Sequence, residues 1–281
     1  MVLDRLDGYW YILKRNPMTL AGCFIVLMIL AMAALAPVMA THSPVAINMT
    51  EKLQPPSIHH FFGTDEMGRD IYSRVLYGCR LSLGVGTSIV LLAATLGILI
   101  GSLAGYGGGR KDQVVMGIMD IILSFPSLVL AMALAAALGP SLVNAMLAVA
   151  LVKIPVYVRL ARGQVISLKE KQYVKAARSF GSTPGWIITK HIIPNCIAPV
   201  LIQLTLGIGE AILIAASLSF IGLGAQPPAP EWGAMISTGR TYILDQWWYA
   251  TFPGLFIFIT VMGFNLLGDG VRDILDPRSK K

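Results

Sequence analysis

Apolar positions in this chain run in long unbroken blocks, without the three-to-four or two-residue rhythm of helices and strands that keep one face in water. The blocks cover about residues 19–40, 81–105, 114–138, 142–160, 198–223 and 250–267. At about 1.5 Å of rise per residue, roughly 20 residues cross the roughly 30 Å hydrocarbon core of a bilayer. The pattern therefore predicts an all-α integral membrane protein with six transmembrane helices. Polar residues gather between the blocks, in 41–80, 161–197 and 224–249, while Gly139-Pro140 makes a tight turn between the third and fourth. The expected organisation is a cytoplasmic segment 1–18, a first membrane helix 19–40, a loop 41–80, a five-helix core 81–268 and a tail 269–281. No stretch is left for a soluble catalytic domain.

Composition agrees: 55% of the 281 residues are hydrophobic and 13% charged, against about 25% charged in soluble domains. The net charge of +7 raises the question of nucleic acid, and the distribution of the cations answers it. Seventeen of the 22 lysines and arginines fall in 1–18, Arg110-Lys111, Lys153 to Lys190 and Arg272 to Lys281; five fall in 41–80 and 224–249. Positive residues accumulate on the cytoplasmic side. Both termini and the 161–197 loop are thus expected in the cytoplasm, with 41–80 and 224–249 outside, and no nucleic-acid partner is implied. Arg5, Lys14 and Arg15 ahead of an apolar block resemble the start of a signal peptide, but 19–40 is longer than a signal core and has no clear cleavage box. Cys23, Cys79 and Cys196 are odd in number and widely spaced, which points to packing.

Tyr72 and Tyr77, in IYSRVLYGCRLSL, suit an amphipathic lead-in to the second span, and Trp247, Trp248 and Tyr249 an aromatic belt at the membrane interface. Gly97, Gly101 and Gly105 recur every four residues, near one face of the second span. Small residues at that spacing let two helix backbones approach closely, so a packing seam is the reading for them. The glycines of GYGGGRKDQ are no phosphate loop, because G-x-x-x-x-G-K-[ST] occurs nowhere in the chain. Asp120, Glu210 and Lys153 lie within apolar blocks, where an uncompensated charge costs about 2.5–3.5 kcal/mol to insert. They line a solute path or pair helix to helix; both readings stay open. His59 and His60 neighbour Asp65, Glu66 and Asp70, but adjacent histidines of an extended segment point opposite ways and no second pair completes a site. No metal site is expected. Neither G-x-S-x-G nor H-E-x-x-H is present, and no catalytic residue is assigned.

The remaining candidate is YVKAARSFGSTPGWIITKHIIPN, Tyr173 to Asn195, a basic interruption among apolar helices. Leu168 to Phe180 is expected to form one helix, Gly181 to break it, and Trp186 to Ile193 to form a second that ends at Pro194. Two short helices about a glycine make a knob on which alanines would admit a partner's groove. The plainer alternative is a basic loop held against anionic lipid headgroups.

Here the sequence resembles a known family. Ala176, Ala177 and Gly181, followed by Ile193, Pro194 and Asn195, resemble the "EAA" coupling motif of binding-protein-dependent ABC importers. More narrowly, FGTDEMGRDIYSRVLYGCRLSL, YVRLARGQVISLKEKQYVKAARSFG, HIIPN, SFIGLG, PEWGAMI and GDGVRDILDP resemble the dipeptide, oligopeptide and nickel permeases, from about residue 20 to the end. Lys175 occupies the position that is usually acidic in the motif.

The resemblance implies a type I ABC importer permease fold in the bacterial inner membrane. It implies as partners a homologous second permease, two ATP-binding subunits and an extracytoplasmic solute-binding protein. ATP would be used by those subunits, and no cofactor is expected on this chain. PSLVLAMALAAALGPSLVNAML and LDQWWY look most similar to dipeptide permeases, the D,D-dipeptide type included. Nickel complexes and longer peptides are the alternatives within the family, and a secondary transporter driven by an ion gradient is the alternative outside it.

Overall fold

The structure is a computed structural model that describes residues 17–275. The basic segment expected at 1–16 and the last tail residues, 276–281, lie outside the described residues. Among the described residues the regular elements are all helices, with a single isolated β-bridge between Thr64 and Asp70. The helices are α1 Pro17–Met39, α2 Ile71–Gly107, α3 Gly109–Leu123, α4 Ser127–Leu138, α5 Leu142–Leu168, α6 Gln172–Ser179, α7 Pro184–Ile187, α8 Ile193–Phe220, α9 Trp232–Gly239 and α10 Trp247–Leu275.

Five helical stretches are long and apolar enough to cross a membrane: α1, α2, α5, the run Pro184–Phe220 that ends in α8, and α10; α3 and α4 together supply a sixth. Large apolar side chains such as Phe24, Leu103, Val143 and Phe258 are exposed on their outer faces, as a lipid solvent allows.

The expected straight third span, 114–138, is instead broken. α3 and α4 meet at 92°, around Ser124, Phe125 and Pro126. Proline disfavours helical backbone in the residue before it and has no N–H to continue the ladder. The second span departs in the other direction. IYSRVLYGCRLSL is continuous with it, so that α2 runs for 37 residues. Asp70 starts it as N-cap, accepting the Ser73 N–H at 2.8 Å.

α2 packs along α5 through the three glycines. A Cβ at Gly97 would run into Tyr157, one at Gly101 would sit 3.0 Å from the Ala161 Cβ, and one at Gly105 would sit 3.1 Å from the Arg162 carbonyl. A second close approach joins α1 to α10, where a Cβ at Gly22 would lie 2.8 Å from the Leu266 backbone. Two apolar cores result. One gathers α2, α4, α5 and α8 around Ile89, Val149 and Leu218; the other gathers α1, α2, α8, α9 and α10 around Ile29, Ile71 and Trp232.

The 41–70 loop and the 221–246 segment lie at the same end of the bundle and fold on each other as a cap. Trp248 and Tyr249 belong to this cap's interior: both are buried, and only Trp247 is exposed. The expected belt of three interfacial aromatics is thus reduced to one, because the cap folds over the start of α10 and turns the next two rings inward. Phe62 stacks on Phe252 at 4.0 Å, and the Tyr249 hydroxyl donates to Glu66.

Candidate coupling site and membrane-embedded charges

At the opposite end of the bundle, α6 and α7 form the knob expected from Tyr173 to Asn195. Phe180 closes α6, Gly181 follows with φ +81°, the Gly181 N–H reaches the Arg178 carbonyl and the Ser182 N–H reaches back to that of Ala177. This pair of bonds is a Schellman cap, which wants a left-handed residue directly after the last helical one, and glycine adopts that conformation without a Cβ penalty. Two residues on, Thr183 caps α7 by accepting the Trp186 N–H, with Pro184 in the first turn, where a missing N–H costs nothing.

The helix expected to end at Pro194 does not end there. α7 passes through a π-helical turn, Ile188–Ile192, into α8, with Pro194 in the first turn of the latter. The wide i→i+5 turn re-phases the chain, and proline is tolerated at the start of the helix it then enters. The Asn195 side chain donates to the His191 carbonyl at 2.6 Å.

The knob has one anchored face and one free face. Val174, Ile187, Ile188 and Ile192 pack with Val165 of α5 and Cys196 of α8, and Ala177 and Ile193 border that cluster. Outward stand Lys175, Ala176, Gly181 and Trp186, together with Phe180, which is 90% exposed. A Cβ at Gly181 would meet nothing within 4 Å. Beside the knob opens a cavity of about 500 Å³, whose lining includes Lys169, Glu170, Lys175 and Arg178. Lys175 bonds Glu170 at 2.9 Å, and that ammonium holds the Glu170 carboxyl below the usual carboxylate range. Both groups are in water, so the bond is easily exchanged for another partner's.

Charges within and just beyond the spans pair across helices. Lys153 of α5, which is buried, is bonded to Glu210 of α8, whose side chain is 54% exposed. Arg159 of α5 reaches Asp120 of α3 at 2.6 Å, and Arg162 holds Asp112 of α3 through two bonds of 2.6 and 2.7 Å. Three cations on one helix thus meet three carboxylates on two others. For Lys153, Arg159, Asp120 and Glu210, which fall within the apolar blocks, such pairing lowers the cost of a charge at membrane depth, and Glu210 still presents an open edge.

Sequence reasoning missed Phe180 and Trp186, which stand out only as apolar residues in a basic loop. It also missed the ion network of the cap, although T-D-E-M-G-R-D carries its signal: Asp65 and Arg69, four residues apart, bond at 2.6 Å, and Arg69 also reaches Glu66 at 3.0 Å. Of the two adjacent histidines, His59 is exposed and His60 is buried and bonded to Asp70.

Residues 97–281 match the family model described as binding-protein-dependent transport system inner membrane component, and residues 6–56 match the N-terminal membrane domain of oligopeptide transport permease C. The chain is 54% identical over 269 residues to the probable D,D-dipeptide transport system permease protein DdpC of Escherichia coli, covering 96% of this chain and 90% of that one. It is 47% identical to the dipeptide transport system permease protein DppC of Alkalihalophilus pseudofirmus, covering 95% and 88%. It is 40% identical to the DppC of Bacillus subtilis, covering 99% and 88%. Among solved structures, the inward-facing MetNI methionine ABC transporter shares the fold, with a TM-score of 0.53 at 16% identity over 70% of this chain and 95% of that one. The helical spans, the knob and these matches together make the chain a member of the binding-protein-dependent transport system inner membrane components, the permease subunits of ABC importers.

Proposed function

We propose that this chain is one of two homologous permeases in an ATP-driven importer of dipeptides or other short peptides. In this reading two ATP-binding subunits grip the knobs from the cytoplasm, and a solute-binding protein delivers the peptide to the 41–80 and 224–249 side. The free face of the knob carries the proposal: Phe180 and Trp186 stand exposed on a rigidly capped turn, an arrangement that a lone transporter would have no reason to keep. The contact residues are Lys175, Ala176, Ala177, Gly181, Ile193, Pro194 and Asn195, with Phe180 and Trp186 added. An apolar groove of about 550 Å³ along α8 and α10, lined by Leu213, Phe258, Val261 and Met262, suits the second permease. Glu210 and Asp120 are the candidates for the path. The substrate class is carried over from the dipeptide and D,D-dipeptide names of the relatives.

Closure of the ATPases moves the knobs, and the permeases exchange inward- and outward-facing states. Taking such an equilibrium from 1:99 to 99:1 needs about 5.5 kcal/mol of differential binding, more than one exposed ion pair such as Lys175–Glu170 supplies. The apolar contacts of Phe180 and Trp186 are required as well.

Two measurements test this reading. The chain should co-purify with an ATPase and a second permease in fixed ratio, and vesicles holding the complex should take up dipeptide only with ATP inside the ATPase compartment. Uptake that ignores ATP and collapses with an ion gradient would overturn it in favour of a secondary transporter. A binding screen on the cognate solute-binding protein, with dipeptides, longer peptides and nickel complexes side by side, decides the cargo.

A further inference from the structure

His42, His60 and Asp70 converge in the cap from the start, the middle and the end of the 41–70 loop, the last being the N-cap of α2. One ligand atom from each lies within 4.8 Å of the others. The His60 Nδ1 is 2.9 Å from Asp70 Oδ1, the His42 Nδ1 is 4.0 Å from Asp70 Oδ2, and the two imidazole centroids are 4.7 Å apart. We propose that these three residues form a divalent transition-metal site, of the zinc class, that staples the exit of α1 and the cap loop to the start of α2.

The donor chemistry selects the ion. Two imidazoles and one carboxylate suit zinc and its borderline neighbours, whereas magnesium and calcium require oxygen ligands. Four-coordinate zinc with bonds of about 2.0–2.1 Å needs its ligand atoms about 3.4 Å apart; His60 Nδ1 and Asp70 Oδ1 stand at 2.9 Å and all three ligand atoms lie within 4.8 Å, so a small inward turn of the exposed His42 ring reaches that spacing. Three protein ligands and one open position at the exposed side of His42 complete the geometry.

The surroundings are already those of a metal centre. The second ring nitrogen of His60 faces Glu51 Oε2 at 3.4 Å, the carboxylate–histidine arrangement that orients a ligating imidazole. Glu51 is itself held by the Asn48 amide at 2.7 Å. Asp70 is buried, and its Oδ2 accepts from the Ser73 N–H and, at 3.4 Å, from the Thr41 hydroxyl, which leaves Oδ1 to face His60. The His42 backbone N–H is tied to the Ser73 hydroxyl at 3.1 Å, so the one exposed ligand has a fixed base. A cation here would take the place of the direct His60–Asp70 hydrogen bond. The partner of His60 is not the adjacent His59 but His42, 18 positions upstream, where no local spacing announces it.

The test uses the assembled transporter, purified without a polyhistidine tag, stripped with chelator and titrated with Co2+ and Zn2+. Wild type is expected to bind one extra Co2+ per copy of this chain relative to His42→Asn. That Co2+ should show the intense visible absorption of a four-coordinate site, be displaced by Zn2+ and resist excess Mg2+. Zn2+ should raise the unfolding temperature of wild type and leave His42→Asn unmoved. Glu51→Gln should weaken binding by about 10- to 100-fold, and His59→Asn should have no effect. His42 is exposed, so its variant folds even where a His60 variant does not. Equal Co2+ uptake by wild type and His42→Asn, or equal loss in His59→Asn, overturns the proposal.

Discussion

The two ends of the bundle use their polar and aromatic side chains in opposite ways. In the cap, the buried charged groups find partners within the chain. Asp65 takes the Arg69 guanidinium at 2.6 Å and lies 3.6 Å from that of Arg74, Arg74 donates to the Pro44 carbonyl at 2.8 Å, and Tyr249 donates to Glu66. In the knob, the side chains that could pair or pack inward point away. Lys175 has only the exchangeable Glu170, Phe180 stands almost fully exposed, and Trp186, edge-on to His191, leaves nearly half its surface open. The cap closes largely on itself, whereas the knob leaves open the face that the proposed ATPase contact would cover. Substitutions at the two ends should therefore part sharply: cap variants change the stability of the chain, and knob variants change what it does.

The largest loss of stability is expected from Asp65→Ala. It strips buried Arg74 of its carboxylate and leaves buried Arg69 with Glu66 alone, and leaving a buried charge uncompensated costs about 3–5 kcal/mol. Unfolding of the purified permease in mixed detergent and SDS micelles measures this. If Asp65→Ala unfolds at the wild-type SDS fraction, the cap's network is ornamental and the contrast between the ends fails.

Between the two ends, Gly101→Val reports on the shaft that joins them. The new side chain meets the Val158 backbone and Ala161, where α2 and α5 touch. Overpacking of this kind costs about 1–3 kcal/mol. The same SDS titration should show a smaller shift than Asp65→Ala, and cross-linking between α2 and α5 should fall. A substitution at Gly117, beside which a Cβ has open space, is the matched control and should be neutral.

A third variant sharpens the cap side through pH. Glu231, the N-cap of α9, is buried; burial raises its pKa, and the N–H groups of Gly233 and Ala234 with the Ser219 hydroxyl pull it partly back. The folded protein thus holds this proton to a higher pH than the unfolded chain. As pH rises through the window that begins at an ordinary glutamate's pKa, the folded carboxyl must ionise in an apolar site and stability declines. Glu231→Gln keeps an acceptor for the Ala234 N–H and has no proton to lose. Its unfolding temperature should match wild type at acid pH and exceed it modestly at pH 8. A gap of the same size at both pH values would mean that the carboxyl does not titrate in that window.

How far the sequence could be read differs between the ends for the same reason. The knob is a local object: Phe180-Gly181-Ser182-Thr183-Pro184 encodes a Schellman cap followed by an N-cap, and both formed where the residues indicate. The family resemblance rests there too, and the fold and membership it implied stand. The end of the knob was misread at Pro194, because a proline stop signal is indistinguishable in sequence from a proline in a helix's first turn. The cap is non-local. Trp248 and Tyr249 look like interfacial aromatics until Gly63 and Glu66, more than 180 positions upstream, close over them. His42 and His60 stand only 18 positions apart, yet that spacing matches no local ligand pattern and so hid the pair as well. The bend at Pro126 was legible in the residue itself, yet the apolar run on both sides of it read as one span.

The smallest effect on the chain, and the largest on its work, is expected at Phe180. Gly181→Asp is the more obvious knob variant, but with φ at +81° an added side chain strains the turn as well as crowding any partner, so loss of transport there has two explanations. Phe180→Asp separates them. The ring touches little of its own chain, and exposed substitutions of this kind stay within about 0.5 kcal/mol. SDS unfolding and membrane insertion should match wild type, while ATPase subunits fall away on purification and dipeptide uptake into vesicles is lost. Phe180→Leu, which keeps an apolar projection on the same base, should restore most of both. Normal ATPase retention in Phe180→Asp would mean that the exposed ring is a surface accident. A destabilised Phe180→Asp would mean that the knob, like the cap, is built to support its own chain.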